Sequence, residues 1–390
     1  MTSPDSKQSF LYVACQQGAV AGLKTALCEP NGPFRLAYSA RGLLTLKTQL
    51  SVPQWSRALP EHPLIRSRGV VLGKVEGTES AVMLAQILES TKSLDWQVCH
   101  VWQRDMADPG WNGFEPGGTP LAWLVAEQFR SLLQSSEPVS PDQPVSPNRP
   151  VIANRPAFDS ESQRVDPTVV DPKGLDPKLD RILEIIIDEP NRWWIATKRA
   201  QQNYDFWPGG IPEFPIPELV LSRAYMKIAE AFAWGNLQIR PGERIAEIGS
   251  SPGGACQWLL DQGASVTGID PAEMDPRILK HPNFTHWQSR SLQLKRKLFR
   301  PFRILVCDAN VAPRYTLDTV ESIVVYPTTN LRALVLTIKL PEWQTSNSIP
   351  EFLERVRSWG YADVAARQLG HNRREVCVIA KNRLAVAASD

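Results

Sequence analysis

"EIGSSPGGACQW", residues 247–258, sets an acidic residue, a proline and three glycines between two different sequence patterns. Before it, Arg244–Ile248 has the length and apolar character of a buried strand. After it, Ala255–Asp261 reads as a helix. Glycines crowded at a strand-to-helix junction have two explanations. One is a tight turn. The other is a ligand that approaches the backbone and the free N–H groups at the helix start. The spacing departs from G-x-G-x-x-G, and the inserted Pro252 argues against a standard dinucleotide site. About twenty residues on, Asp270 closes a second apolar run, "VTGID", where a carboxylate suits ribose hydroxyls. Its plainer use is as the N-cap of a helix beginning just after it. Ligand binding is the expectation for the two features together, and a side chain at Gly253 is expected to obstruct the ligand without disturbing the fold.

Outward from that turn, strands and helices alternate. The candidate strands are Arg244–Ile248, Ser265–Ile269, Phe284–Gln288, Ile304–Cys307, Ala333–Ile338, Ala362–Arg367 and Val376–Ala380. The candidate helices are Arg223–Trp234, Ala255–Asp261, Leu317–Val325 and Ile349–Trp359. This pattern predicts a doubly wound, Rossmann-like α/β domain over residues 217–390. An open parallel sheet of this kind binds ligands outside the carboxyl ends of its strands, and the glycine turn sits at such an end.

The rest of the 390 residues divides differently. Residues 1–133 predict an α+β region, with "FLYVACQ" and "GLLTLKTQ" as strands and "ESAVMLAQILES" as a helix. Residues 134–176 contain "PVSP" twice and lack apolar periodicity, so they read as a linker or a disordered loop. Order returns over 177–216. With 43% hydrophobic and 22% charged residues, the composition is that of a globular protein. A net charge of +2 does not by itself indicate a nucleic-acid partner. The six cysteines form no C-x-x-C pair, which points away from a zinc site or a disulfide framework and toward reduced thiols in the cytoplasm. His281, His286 and His371 have no ligand spacing, so no metal is expected and they read as structural. "MTSPDSKQSF" lacks the pattern of a signal peptide, and no apolar run is long enough to span a bilayer, so no membrane partner is expected. Nothing in the pattern fixes an oligomeric state.

"EIGSSPGGACQWL" resembles the "DLGxxPGG" motif of FtsJ-like ribose 2′-O-methyltransferases. That resemblance implies S-adenosylmethionine as cofactor, held by Glu247, Gly249, Ser250, Ser251, Pro252, Gly253, Gly254, Asp270 and Asp308. Glu247 stands where the family has Asp. The family also places an acid after the third strand to hold the adenine. Here "FTHWQSRSLQ" offers Gln288 or Ser289 at that position. The family's Lys-Asp-Lys-Glu set has a matching residue at each place. "LSRAYMKIAEAF" supplies Lys227, "LVCDAN" Asp308, "LTIKLP" Lys339 and "HNRREVCVIA" Glu375. The likeness covers residues 217–384. The "CD", "KLP" and "RREV" contexts are most similar to RlmM-type large-subunit rRNA methyltransferases, in which a THUMP-containing region precedes the catalytic domain. "EPNRWWIATKRA" and "WPGGIP" look like the end of such a region, which would bind RNA.

The chemistry implied by the resemblance asks for this residue set. A ribose 2′-hydroxyl is a poor nucleophile while protonated, so methyl transfer needs a nearby base and alignment with the methyl–sulfur bond. A lysine can be that base only when partly neutral. The assignment is Lys339 as the base, Lys227 as the like charge that eases its deprotonation, and Asp308 and Glu375 as the carboxylates that hold both. Each residue also has a plain use: a snorkelling strand end, a turn cap, a solvated helix face, a surface ion pair. "SRSLQLKRKLFRPFR" carries Arg290, Lys295, Arg296, Lys297, Arg300 and Arg303 without an acid, and with Phe299 and Phe302 interleaved it suits phosphates and bases. A solvated face is its simpler reading. In "NRWWIATKR" at least one tryptophan is expected in the core. The expected function is an RNA 2′-O-methyltransferase acting on large-subunit rRNA. Its rivals are a non-catalytic RNA-binding paralogue and a methyltransferase for a small molecule or protein.

Overall fold

A computed structural model describes residues 8–135, 151–153 and 181–384. The chain divides into two compact units, 1–215 and 216–390. Of the proline- and serine-rich stretch 134–176, residues 136–150 and 154–176 lie outside the described residues.

The first unit is built on one eight-stranded sheet. Its elements in chain order are β1 (Ser9–Ala14), α1 (Val20–Leu27), β2 (Arg35–Ala40), β3 (Leu43–Thr48), α2 (Val52–Ala58), β4 (Ser67–Glu76), α3 (Ser80–Thr91), β5 (Val98–Gln103), α4 (Pro120–Ser135), β6 (Val151–Ala153), β7 (Arg181–Glu189) and β8 (Arg192–Arg199). The strand order is β2-β3-β1-β4-β8-β7-β5-β6. The pairings of β5 with β7 and with β6 are parallel, and the other pairings are antiparallel. Met83 and Ile87 of α3 and Val125 and Phe129 of α4 share a core with Leu183, Ile185, Ile187 and Trp193 on one face. Tyr12, Trp102, Ile186 and Ala196 form a second core cluster. Burial on both faces explains why β7 reads "RILEIII", an almost unbroken apolar run.

The exception in that run is Glu184, which is wholly buried. It lies 2.9 Å from Lys198 Nζ and 3.0 Å from His100 Nδ1, and it accepts a hydrogen bond from Trp102 Nε1. Burial alone would raise its pKa, but Lys198 and His100 hold it down at about 2. Burial pushes His100 the other way, toward the neutral form. The charge is therefore retained inside because three donors converge on it. Glu184→Ala leaves the buried Lys198 without its countercharge, with Ser67 Oγ left to accept from it, and should cost about 3–5 kcal/mol. A urea titration checks this, with an unchanged midpoint as the contrary result.

The second unit contains α5 (Ala224–Trp234), β9 (Arg244–Ile248), α6 (Gly254–Asp261), β10 (Ser265–Ile269), α7 (Pro276–Leu279), β11 (Phe284–Trp287), β12 (Ile304–Cys307), α8 (Pro313–Val324), β13 (Ala333–Lys339), α9 (Ile349–Arg357), β14 (Tyr361–Arg367) and β15 (Glu375–Arg383). Its strand order is β11-β10-β9-β12-β13-β15-β14. The chain steps outward one way from β9 to β11 and the other way from β12, so a crevice opens above β9 and β12. α5 and α6 pack through Ile228, Phe232, Cys256 and Leu259 onto Ile245, Val306 and Val335 of the sheet. The seven strands expected from sequence are all present, with ends shifted by a few residues at most. α8 starts four residues earlier than its apolar pattern suggests, with Pro313 at its first position, where proline loses no hydrogen bond.

One expectation is corrected. The sheet is not wholly parallel: β15 runs antiparallel to both β13 and β14. Residues 368–374 are too short a connection for a crossover, so the chain can only turn back beside β14. The start of β15 therefore lies at the carboxyl end of β13, and Lys339 stands in register with Glu375.

Candidate functional site

That register puts a lysine and a glutamate side by side at the crevice. β12 ends at Cys307 next to Leu336 of β13, so Asp308 follows at the same end. α5, packed over the strands, supplies Lys227. The four side chains form a closed ring of alternating charge. Lys227 Nζ lies 2.5 Å from Asp308 Oδ2 and 2.9 Å from Glu375 Oε1. Lys339 Nζ lies 3.5 Å from Asp308 Oδ1 and pairs with Glu375 Oε2. Exposure of the four side chains runs only from 8% to 22%. The ring is therefore mostly screened from water, and each member keeps a small exposed surface.

The balance of charges sets protonation. Burial would lower the pKa of Lys227, but Asp308 and Glu375 outweigh it and the net shift is upward. Burial would raise that of Asp308; Lys227 and Lys339, with a hydrogen bond from Thr337, bring it below the ordinary value. Lys227 is therefore an ammonium and Asp308 a carboxylate at neutral pH. Thr337 was passed over in the sequence. Its signal was available: it is the one polar residue in "ALVLTI" and lies on the same strand face as Lys339.

Beside the ring sits the glycine turn. Gly249 has φ +82°, and a Cβ there would come within 2.7 Å of the Asp308 carbonyl oxygen. Gly254 abuts Ser222, whose Oγ would lie 2.1 Å from an added Cβ. Gly253 has φ +123°, and its Cβ would meet Ile278 Cγ1 at 2.9 Å and Met274 Cε at 3.2 Å. A side chain at 253 thus collides with the protein, and the expectation that it would leave the fold undisturbed is withdrawn. The glycines answer first to close packing of the turn against Asp308 and Ala309 just after β12, Ser222 just before α5, and Ile278 of α7. Pro252 is exposed, with a cis bond from Ser251. Ser250 is buried and donates to Met274 Sδ.

Asp270 ties this turn to the second strand. Its Oδ2 accepts from Ser251 N at 3.2 Å and its Oδ1 from Ala272 N at 2.8 Å. Each oxygen keeps a second lone pair, which is the acceptor chemistry a ribose diol requires. Gln288 lies close by, exposed, with Nε2 donating to Pro271 O at 3.4 Å; Ser289 donates to Arg290 O. These residues fit a nucleoside-bearing cofactor laid across the carboxyl ends of β9, β10 and β11. His286 is structural, at 3.0 Å from the Asp270 carbonyl oxygen. Among the described residues no group of His, Cys, Asp and Glu side chains is arranged to hold a metal ion. No helix among them is long and apolar enough to cross a membrane.

Glu247 is 1% exposed, and its Oε2 accepts from the Cys256 thiol at 2.8 Å. Burial, with Asp308 and Asp270 nearby, raises its pKa to about 8 in spite of the thiol bond. Asp308 and Glu247 are thus two acids of one site in opposite states, one ionised and one protonated at neutral pH.

The basic run 289–303 does not form one surface over the crevice. Arg290 follows the carboxyl end of β11 and is exposed. Arg303 lies at the opposite end of the sheet, where its amide donates to Arg244 O at the start of β9. Arg300 stacks over Tyr326, which follows the far end of α8. Lys295 and Lys297 are exposed between these extremes, and Arg296 donates to Ser291 O. Phe299 and Phe302 are buried against Trp287, so they are core and offer no ring to a base. In the first unit Trp193 is likewise core, while Trp194 packs on Tyr38.

Residues 220–365 match the family model described as FtsJ-like methyltransferase, which bears out the resemblance read from the motifs. A curated relative named Ribosomal RNA large subunit methyltransferase M, from Halorhodospira halophila, is 31% identical over 186 residues, 45% of this chain and 51% of its own length. One of the same name from Azotobacter vinelandii is 30% identical over 183 residues, 44% of this chain and 50% of its own length. A third, from Thauera aminoaromatica, is 25% identical over 205 residues, 50% of this chain and 55% of its own. The chain spans about half the length of these curated relatives.

Glu247 makes the stability of this unit pH-dependent. Its folded pKa, about 8, lies above the ordinary 4.5. Between those values the unfolded chain releases the proton and the folded one keeps it, so stability falls as pH rises through this window. Glu247→Gln keeps an acceptor for Cys256 and cannot titrate. It should melt with the wild type near pH 4.5, gain on it up to about pH 8, and gain no more beyond. Parallel melting curves at every pH would contradict this. Gly253→Val should lower the melting temperature itself.

Proposed function

We propose that this protein is an S-adenosylmethionine-dependent methyltransferase for a ribose 2′-hydroxyl of large-subunit ribosomal RNA. In this reading the first unit is a THUMP-like RNA-binding module, and the protein works in the cytoplasm. The observation that carries the reading is the closed Lys227–Asp308–Lys339–Glu375 ring beside the glycine turn. A small-molecule or protein methyltransferase has no need of that set, and a purely RNA-binding paralogue would have no reason to keep it. The names of the curated relatives support the ribosomal substrate.

When bound, S-adenosylmethionine supplies an electrophilic methyl group on a good leaving group. The protein's share is positional and acid–base. Asp270 accepts the ribose hydroxyls of the cofactor, and the backbone of Gly249–Gly254 lets it lie close. Gln288 is the polar contact for its base. Lys339 acts in its neutral form, its own proton having gone to solvent, and its Nζ takes the proton of the substrate hydroxyl as the oxygen attacks. Lys227, held as an ammonium, favours the alkoxide character that develops there. Asp308 and Glu375 fix both lysines; with Lys339 neutral the ring carries one net negative charge, and the proton it receives brings that charge to zero.

Lys339→Ala should lower methyl transfer by about 10²–10⁴-fold, the usual contribution of a positioned base. Cofactor affinity in titration calorimetry should stay unchanged, because Lys339 acts on the substrate. The double variant with Asp308→Ala should lose little more, as expected of groups that act as a unit. Substantial residual activity in Lys339→Ala removes the assignment. RNA affinity forms a second test. Reversal of Lys295, Arg296 and Lys297 to glutamate should weaken RNA binding and flatten its salt dependence, each lost phosphate contact lowering the log–log slope by about 0.7–0.9. Equal slopes would remove this segment from the RNA interface.

A further inference from the structure

The ring leaves open what holds the substrate in front of it. Asp308 ends one side of the crevice, and the chain then runs through Ala309–Ala312 into α8. The first turn of α8 therefore lies at the same end of the sheet as the ring. Pro313 and Thr316 point inward and are buried. Arg314 and Tyr315 point outward. Tyr315 is 64% exposed, and among the described residues of the second unit it is the one aromatic side chain that stands mostly in solvent. Trp287, Phe299 and Phe302 pack on one another, and Phe232 on Trp258. No ring contact or side-chain hydrogen bond engages Tyr315 among the described residues. Its ring face is therefore free to take a planar partner.

Arg314 stands beside it with its side chain 86% exposed. Its only ion pair among the described residues is at 3.6 Å to Asp318, one turn on. Asp318 is already held at 2.7 Å by Arg355, so its charge is largely offset. The first turn of α8 carries no acid. Arg374 is exposed at the mouth as well, donating to Pro341 O just past the end of β13. The first turn of α8 therefore sets an exposed aromatic face beside an exposed arginine, which matches the two surfaces a single-stranded nucleotide offers: a flat base and an anionic phosphate.

We propose that Tyr315 and Arg314 form the platform for a nucleotide flanking the modified ribose, with the Tyr315 ring stacked on its base and Arg314 on the adjoining phosphate. This rests on the function proposed above and deepens it by naming how the RNA strand is held. The stack is sequence-tolerant, because every base has a face. It fixes the register of the strand so that one ribose reaches Lys339.

The test compares wild type, Tyr315→Ala, Tyr315→Phe and Arg314→Ala as full-length chains. The probe is large-subunit ribosomal RNA prepared from cells lacking the protein. Filter retention reads RNA affinity, methyl transfer reads kcat and KM, and calorimetry reads S-adenosylmethionine affinity. Tyr315→Ala should bind RNA about tenfold more weakly, the scale of one base–aromatic stack. KM should rise with kcat nearly unchanged, and Tyr315→Phe should restore both. Arg314→Ala should lower the log–log salt slope by about 0.7, one phosphate contact to a single strand. RNA affinity of Tyr315→Ala within twofold of wild type overturns the proposal. Loss of cofactor affinity in Tyr315→Ala overturns it too, since the ring would then be serving the cofactor cradle. Wild-type protein that binds RNA but transfers no methyl group refutes the proposed activity alone, and the retention comparison still decides the platform.

Discussion

Four charges, two lysines and two acids, hold the working end of the second unit together. Each comes from a different element: Lys227 from α5, Asp308 from the end of β12, Lys339 from the end of β13 and Glu375 from the start of β15. Alone, any of them would be a poorly solvated charge in a crevice; as a ring they cancel. The arrangement also raises the pKa of Lys227 and lowers that of Asp308, so both stay charged over a broad pH range.

The ring depends in turn on the direction of one strand. Were β15 parallel to its neighbours, Glu375 would begin at the far end of the sheet. The short connection from β14 forbids that, and Glu230 helps to fix it: wholly buried on α5, one turn past Lys227, it accepts the Gly370 amide with both carboxylate oxygens at 3.0 and 2.9 Å. The same helix thus supplies a member of the ring and anchors the loop that delivers another. The glycine turn is drawn equally close, with Gly249 against the Asp308 backbone. The glycine turn and the ring share a wall.

Some of this could be read before any coordinates. The seven strands showed themselves by short apolar runs ending in polar residues, and the ring members by charges at those ends. Lys339 after "ALVLTI" and Asp308 after "ILVC" are conspicuous because a charge closing a buried strand must be solvated or paired. Lys227 was legible only through the family motif, since a lysine on an amphipathic helix is ordinary. The basic run misled for a related reason. Spacing shows that Phe299 and Phe302 sit among arginines, but not that both turn inward onto Trp287. Alternation along a coil has no fixed period from which burial can be inferred.

The sequence by itself determined the seven strands and four of the five α-helices among the described residues of the second unit, though not the short α7, as well as where its glycine turn lies and which charged residues close the strands, because hydrophobic periodicity and turn chemistry are local. The tertiary structure decided the rest. Strand order and the reversal of β15 set which ends meet. Packing showed that Gly253 faces Ile278 and not open space. Burial made Glu247 a protonated acid even though a thiol donates to it, while Asp308, in the same site, stays ionised because two lysines stand beside it. Protonation, clash and exposure depend on what neighbours from distant parts of the chain bring, and no window of sequence contains them.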